Sequence, residues 1–464
     1  MSTVFDQPGG QNQYVAGILA SLGALSLGSA IGWSSPAQYY IMEKDASGFP
    51  VTLDEFGWIC AALWLGFGVV IIPSGILSEY WGRKTVMLLA VPLFMISWAL
   101  IIFPFHSYIL MLGRLVQGIA GGCYILTVPL YCTEIAQIDQ KETLGAFFTI
   151  FLGLGIFYSY AAGAFKSYRY LNYGCALLPL LFLVTFAWMP ESPVYYLLRG
   201  KQKQAEKSMK WLRNQNSPLE LIELQKQITK VREQEPQPWK TMCQKSNRRA
   251  LFLCIGLMFC KNFCGGTAII TYCTAIHEEA GTSYGFESDM CTVIGGAVLV
   301  LFTIVSVQSL KCAGRRTMLM FTTCLVALCN CLMAIYLYLA TAKVHYINTL
   351  NWLSFFGMTA LICCYALGLG TLPYVIILDV FTVQFRTIGT GIVWTFFALF
   401  AFVNVKGLLT IADMWSLQTA FWVTTIFTIF TWIFIYFMLP ETRDLTPEQI
   451  QEKLLAKKCC TGIA

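Results

Sequence analysis

Charged residues are scarce in this sequence, and long stretches contain none. Asp, Glu, Lys and Arg make up 12% of its 464 residues and hydrophobic residues 57%, and the mean hydropathy is +0.62. The stretches Tyr14–Trp33 and Ala420–Met438 have no charged side chain at all. Because a soluble globular domain carries about 25% charged residues, this composition excludes that class.

Groups that bind metals or perform acid–base chemistry are also few. Histidine occurs three times, at His106, His277 and His345, and the eighteen cysteines show no metal-ligand spacing. We therefore interpret the cysteines as small buried apolar residues. No nucleophile–base pair and no phosphate-binding loop is found, so we expect neither an enzyme nor a metal or cofactor site. Cys459–Cys460 beside Lys457–Lys458 is a weak palmitoylation pattern.

What the sequence does contain is a series of apolar segments. Each is long enough to cross a bilayer as a helix, and none alternates apolar and polar residues as a membrane strand does. Since every backbone amide in lipid needs a partner within its own segment, these segments are predicted to be helical. We count twelve spans, at about 14–33, 56–77, 86–104, 108–134, 144–165, 171–189, 250–273, 291–310, 317–340, 350–379, 387–408 and 418–438.

Positive charge is distributed unevenly between the loops. With the N-terminus inside, the short cytoplasmic loops carry Arg83, Lys84, Lys141, Lys311, Arg315, Arg316 and Arg386. The 190–249 segment adds thirteen Lys and Arg against six acids, whereas the outer loops hold Lys44, Lys166, Arg169 and Lys343. The positive-inside rule then places both termini in the cytoplasm. The net charge of +6 reflects this bias and does not indicate a nucleic-acid partner.

The spans divide into two halves of six around a polar linker. We predict a tail over 1–13, a bundle over 14–189, a linker with short helices over 190–249, a bundle over 250–439 and a tail over 440–464. Short marks recur in register: GRK at 82–84 matches GRR at 314–316, and PES at 190–192 matches PET at 440–442. Such repetition indicates a parallel structural repeat.

Four motifs carry a resemblance to a known family. They are GILSEYWGRKT at 75–85, GRLVQGIAGGCYILTVPLYCTEIA at 113–136, PESP at 190–193 and PETRDLTPEQI at 440–450. With these, the chain resembles the sugar porter branch of the major facilitator superfamily over nearly its whole length, and SPA after Gly32-Trp33 resembles the insect trehalose-type facilitators. The resemblance implies an all-α membrane protein in which twelve helices form two pseudo-symmetric bundles that carry a sugar by alternating access.

The resemblance also implies a role for charges at the cytoplasmic helix ends. Guanidinium–carboxylate pairs there would favour one transport state as the inner mouth closes. The implied switch residues are Glu79, Arg83, Glu134, Glu191, Arg315, Asp379, Arg386 and Glu441. End charges that merely anchor the helices are the alternative. Lys311 stands where the family's second half usually has an acid, so a weaker gate is expected in that half.

The solute site departs from the family pattern. In span seven, the family's Q-Q-x-x-G-x-N-A-x-x-Y-Y becomes KNFCGGTAIITY at 261–272. By resemblance, the solute-binding residues are Lys261, Asn262, Thr267, Thr271, Tyr272, Thr149, Tyr374 and Trp394. Several of them replace amides. Because an unpaired buried hydroxyl costs about 1–3 kcal/mol, a site with few amides is less suited to an ordinary hexose.

Lys261 is the most unusual of these residues, since it lies near the middle of a predicted membrane helix. A cation at that depth costs about 2.5–3.5 kcal/mol to insert and usually faces a watery cavity. The sequence places no acid at a comparable depth. Three interpretations stay open: Lys261 donates hydrogen bonds to a polyol, binds an anionic solute, or caps carbonyls freed near Gly265-Gly266.

Span one lacks the aspartate that proton-driven members of the family have, and Ser34 stands at the matching place. Without a titratable relay in the membrane, downhill facilitated diffusion is expected. The leading hypothesis is a plasma-membrane facilitator, functional as a monomer, of a sugar such as a hexose or trehalose. The alternatives are a facilitator of another small solute (an organic anion or a polyol) and a sugar sensor that does not transport.

Overall fold

The computed structural model of the chain is built from helices wherever the chain is described. The described residues are 10–42, 48–214, 218–233, 244–281, 287–309, 314–342, 351–381, 385–443, 445 and 447–455, and no strand occurs among them. Lys44, Lys311, Lys343 and Cys459–Cys460, which the sequence analysis singled out, lie outside these residues.

Six spans form the first half. Their helices are Gln11–Gly32 with Ser34–Met42, Leu53–Trp81, Arg83–Ile102, Ser107–Ile135, Lys141–Gly163 and Tyr168–Phe186. Span two starts with a capping box, in which Thr52 and Glu55 each accept a hydrogen bond from the other's backbone amide. It ends at Gly82, whose φ of +103° permits a tight turn into span three that other residues adopt only with strain.

Spans eight to twelve follow the same plan in the second half. Their helices are Ser288–Ser309, Arg315–Thr341, Asn351–Leu367 continued by Leu372–Val380, Arg386–Met414 and Leu417–Met438. In the described part of the chain, eleven helices are long and apolar enough to cross a membrane.

Span seven is the twelfth, and it is broken into three helices. They are Lys245–Phe263, Gly266–Thr271 and Cys273–Glu279. The first break occurs at Gly265, whose φ of +92° ends the regular helix. The single helix that the sequence predicted over 250–273 is therefore interrupted between Lys261 and Tyr272.

Short helices cover one end of the bundles. They are Pro193–Leu198, Gln202–Arg213 and Pro218–Glu233 in the linker and Pro447–Leu455 in the tail, and we call this end the linker face. Arg213 fixes the linker to the first half, since its guanidinium donates to the Ile135 carbonyl and the Gln13 side chain and pairs with Glu220 at 2.7 Å.

The two halves meet along two pairs of spans that run in opposite directions. Span two packs on span eleven, where the ring centroids of Trp64 and Phe397 are 5.7 Å apart. Span five packs on span eight, where a Cβ added at Gly296 would lie 2.9 Å from Tyr160. The central space between the halves is therefore bounded by residues from both of them.

Candidate functional site

A cavity of about 90 Å³ lies between the two halves. Spans one, two and five contribute its wall on one side, and spans seven, eight, ten and eleven contribute the other. At about 10–15 Å³ per water-sized sphere, the cavity holds roughly six to nine such spheres.

Lys261 faces this cavity and is 2% exposed. Its Nζ donates to the Gly370 carbonyl at 3.0 Å and lies 3.4 Å from the centre of the Tyr374 ring. The Phe397 ring is 5.5 Å away on the same cation. Contact with aromatic faces stabilises an ammonium by about 0.5–2 kcal/mol, more where water is excluded.

The carbonyl that Lys261 binds is available because span ten is also broken. Its first helix ends at Leu367 and its second begins at Leu372, so the Gly370 carbonyl lies outside the regular helical hydrogen bonds. One of the three interpretations placed the carbonyl partner of Lys261 near Gly265-Gly266, whereas in the structure this carbonyl lies on another span. Lys261 links the breaks of spans seven and ten, which the sequence could not place side by side.

Four threonine hydroxyls line the cavity, and each has its proton already committed. Thr149 donates to Ala146 O at 2.8 Å and Thr303 to Leu299 O at 2.7 Å. The other two, Thr267 and Thr371, donate at 3.0 Å to the Asn262 side chain and to Ala366 O. A hydroxyl that donates in this way presents its lone pairs to the cavity. The threonines therefore act here as acceptors.

Half of the residues predicted to bind solute line the cavity. Lys261, Thr267, Thr149 and Tyr374 do so. The other four pack behind it: Asn262 donates to Met258 O and Phe397 O, Thr271 donates to Thr267 O, Tyr272 donates to Val405 O, and Trp394 stacks on Tyr374 with centroids 4.9 Å apart. They position the lining residues rather than face the solute space.

Several lining residues were missed by the sequence analysis. Trp64, Thr303, Tyr365 and Thr371 all face the cavity. Thr371 lies three residues before the predicted Tyr374, and its hydroxyl was the available signal. Thr303 and Trp64 lie in spans where no motif distinguishes them from lipid-facing or packing residues.

Arg114 is a second buried cation that the motif reading had not assigned. It is 1% exposed and donates to Ala30 O at 2.7 Å, Ser34 Oγ at 2.8 Å and Gln117 Oε1 at 2.5 Å. Its guanidinium also lies 5.0 Å from the Trp33 ring centre. Ser34, at the place of the family's aspartate, is thus a neutral partner of this guanidinium.

On the linker face, Arg83 and two acids form a network within the first half. Arg83 and Glu134 pair at 2.9 Å, and Glu134 also accepts a short bond from Ser192. Glu191 accepts from the backbone amides of Arg83 and Lys84 at the start of span three. Burial raises the pKa of the Glu191 carboxyl. This is helix capping by a carboxylate.

The second half repeats the arrangement. Arg315 pairs with Asp379, and Glu441 accepts from the backbone amides of Arg315 and Arg316 at 2.8 and 3.2 Å. Glu79 is exposed on the surface. Arg386 begins span eleven, and its side chain is outside the described part of the structure. The ion pairs Arg83–Glu134 and Arg315–Asp379 each stay within one half.

Contacts between the halves occur near the opposite face. Lys406, at the end of span eleven, binds the Asp54 carboxylate at 2.5 Å and the Asp54 carbonyl at 3.0 Å. Ser35 and Thr274 hydroxyls are 2.8 Å apart. These contacts close the cavity toward the face opposite the linker. Lys406 could not be given a role from the sequence, because it lies within the predicted span at 387–408.

Comparisons with known proteins agree with this arrangement. A family model described as "Sugar (and other) transporter" matches residues 16–454. A facilitated trehalose transporter Tret1-2 homolog of Drosophila simulans is 27% identical over 452 residues, covering 96% of this chain and 91% of that protein. Facilitated trehalose transporter Tret1 of Drosophila virilis is also 27% identical, over 449 residues, but the match covers 49% of its length.

Solved structures show the same fold. The proton:xylose symporter XylE, a major facilitator superfamily protein bound to 6-bromo-6-deoxy-D-glucose, aligns with a TM-score of 0.76 at 18% identity, covering 96% of this chain and 99% of that one. The inward open conformation of XylE from E. coli aligns with a TM-score of 0.78 at 16% identity, covering 95% and 99%. At these identities the likeness concerns the fold.

Proposed function

This chain belongs to the family of sugar and other transporters, and on that premise we propose that it carries a sugar such as a hexose or trehalose across a membrane by facilitated diffusion. The observation that carries the proposal is the central cavity, which both halves line and which has Lys261 and four threonines on its wall. The relatives are named as trehalose transporters, so a hexose and trehalose are both candidate substrates.

Four of the predicted residues form the proposed solute contacts. Lys261, Thr267, Thr149 and Tyr374 face the cavity from both halves. Because one chain completes the cavity, the geometry supports a transporter that works as a monomer. Asn262, Thr271, Tyr272 and Trp394 support these contacts through the hydrogen bonds and the ring stacking described above.

The mode of transport follows from the charges near the cavity. Arg114, the buried cation of span four, donates to the Ser34 hydroxyl. A serine hydroxyl does not ionise at neutral pH, so it cannot take up and release a proton as a carboxylate does. Described residues that line the cavity include no carboxyl and no histidine. This supports uniport down a gradient rather than coupling to protons.

Alternating access supplies the mechanism. The bundles 14–189 and 250–439 rock about the cavity, so the contacts Lys406–Asp54 and Ser35–Thr274 part when the opposite face opens. The networks of Arg83 and Arg315 hold the helix ends on the linker face. We place that face and both termini in the cytoplasm and the protein in the plasma membrane, as the excess of Lys and Arg supports.

Uptake by proteoliposomes tests the proposal. The full chain is purified, reconstituted and given radiolabelled D-glucose, D-xylose and trehalose, with empty liposomes as the control. We expect saturable, protein-dependent equilibration of at least one of these sugars. Accumulation above the outside concentration that disappears with a protonophore would contradict uniport. Absence of flux for every sugar would favour the sensor alternative.

A further inference from the structure

The charge of the cavity is unbalanced. Lys261 is the charged residue among the described residues that line it, and no recorded ion pair involves its ammonium. An ammonium has three N–H donors. The Gly370 carbonyl takes one, and the Tyr374 ring face lies against the nitrogen at 3.4 Å. A buried charge without a counter-ion is costly, so a ligand that supplies one is favoured.

The rest of the wall requires a ligand with hydroxyl groups. The oxygens of Thr149, Thr267, Thr303 and Thr371 accept but do not donate toward the cavity, since their protons are bonded elsewhere. An acceptor needs an O–H or N–H on the solute. A simple carboxylate with one hydroxyl uses few of these acceptor oxygens and gains fewer hydrogen bonds than a solute with several hydroxyls.

We propose that the solute is a sugar acid of monosaccharide size, with several hydroxyls at one end and one carboxylate that pairs with Lys261. This inference rests on the proposed function and narrows its substrate class. Hydroxyls of the solute donate to the threonine oxygens, and the carboxylate accepts from the ammonium in a charge-assisted bond. At neutral pH such a carboxyl is ionised, because its pKa lies near 4.

Alternatives of other chemistry fit less well. A neutral hexose satisfies the threonines but leaves the charge of Lys261 unbalanced. A neutral disaccharide such as trehalose likewise brings no counter-ion for Lys261. The donors and acceptors thus assign Lys261 as the residue that determines specificity between charged and neutral sugars.

Uptake by proteoliposomes with three probes tests this assignment. Radiolabelled D-glucuronate, D-glucose and L-lactate are compared in the natural chain, Lys261→Gln, Lys261→Arg and the control Lys207→Gln, which removes an exposed lysine of the linker. We expect kcat/KM for glucuronate to exceed that for glucose by about tenfold or more, with lactate far below both. Lys261→Gln should lower the ratio of kcat/KM for glucuronate to that for glucose by about tenfold. Lys261→Arg and Lys207→Gln should keep the preference for glucuronate.

The outcomes separate this inference from the proposed function. Preference for glucose in the natural chain would overturn the inference and leave sugar transport intact. An equal loss of both sugars in a Lys261→Gln protein that elutes and melts like the natural one would assign the lysine to structure and also overturn it. Flux of neither sugar would overturn both proposals. Should Lys261→Gln fail to fold, competition of unlabelled glucuronate against glucose in the natural chain decides the preference without a variant.

Discussion

Replacing Arg83 with alanine should destabilise the protein more than the same change at Arg315, although the two arginines hold equivalent places in the repeat. Arg83 and Glu134 are 4% and 10% exposed, whereas Arg315 and Asp379 are 15% and 27% exposed. Arg83 also donates to Ser78 O at 2.9 Å. Its removal leaves the buried Glu134 carboxylate with one charge-assisted partner fewer and no cation.

The burial of each pair sets the expected magnitude. Breaking a buried ion pair by removing one partner costs about 3–5 kcal/mol. The more exposed pair of Arg315 is screened by solvent, so we assign about 1–2 kcal/mol to it. An unfolding entropy of about 2.1 cal/mol/K per residue gives about 1 kcal/mol/K for 464 residues. The melting temperature should therefore fall by about 3–5 °C for Arg83→Ala and about 1–2 °C for Arg315→Ala.

Thermal unfolding of the purified variants in detergent measures both shifts. Arg83→Lys serves as the matched control, because it keeps the charge and loses the planar fork that bonds Glu134 through two nitrogens. We expect it to melt between the natural protein and Arg83→Ala. Equal shifts for Arg83→Ala and Arg315→Ala would refute the reasoning from burial, as would Arg83→Ala melting like the natural protein.

Three further predictions concern other parts of the chain. Ser34→Asp places a carboxyl beside the Arg114 guanidinium, so uptake should become dependent on pH, whereas uptake by the natural chain should vary little between about pH 6 and 8. Burial raises the pKa of the Glu191 carboxyl above its value in the unfolded chain, so its protonated form stabilises the fold at acid pH, and this contribution is lost as the pH rises through the pKa of the folded state. Glu191→Gln should therefore flatten the dependence of the melting temperature on pH between about pH 4 and 7. Asp54→Asn should speed amide hydrogen exchange at 53–58, and the double variant Asp54→Lys with Lys406→Asp should restore protection. If Asp54→Asn leaves the exchange rates unchanged, the pair does not hold the halves together.

The number and order of the spans could be read from the sequence because each span is a local property. About twenty apolar residues satisfy both the bilayer and their own backbone, whatever their neighbours do. The repeated motifs likewise lie at equivalent helix ends in the two halves. Glu191 accepts from the first amide of the helix after Gly82, and Glu441 accepts from the first amide of the helix after Gly314. Because the same residue types recur at these two places, the correspondence between the halves could be recognised from the sequence.

The partners of the charged residues were harder to predict. Carboxylates and guanidinium groups at one membrane level have many possible pairings, and hydropathy does not choose between them. The structure pairs Arg83 with Glu134 and Arg315 with Asp379, each within its own half. The ion pair of Lys406 with Asp54 joins the halves at the other face instead. Lys406 lies in an apolar stretch of the sequence, so hydropathy counted it as part of a span.

The sequence alone determined that this protein crosses the membrane twelve times in two related halves, with a lysine deep in span seven. Only the tertiary structure decided what that lysine meets, namely a carbonyl released by the break at Gly370 and the face of Tyr374, beside a cavity that four threonines also line. The reason is physical. Hydrophobicity adds up along a single helix, whereas a binding cavity depends on how several helices turn toward each other, and on which hydroxyl protons their own carbonyls have already taken.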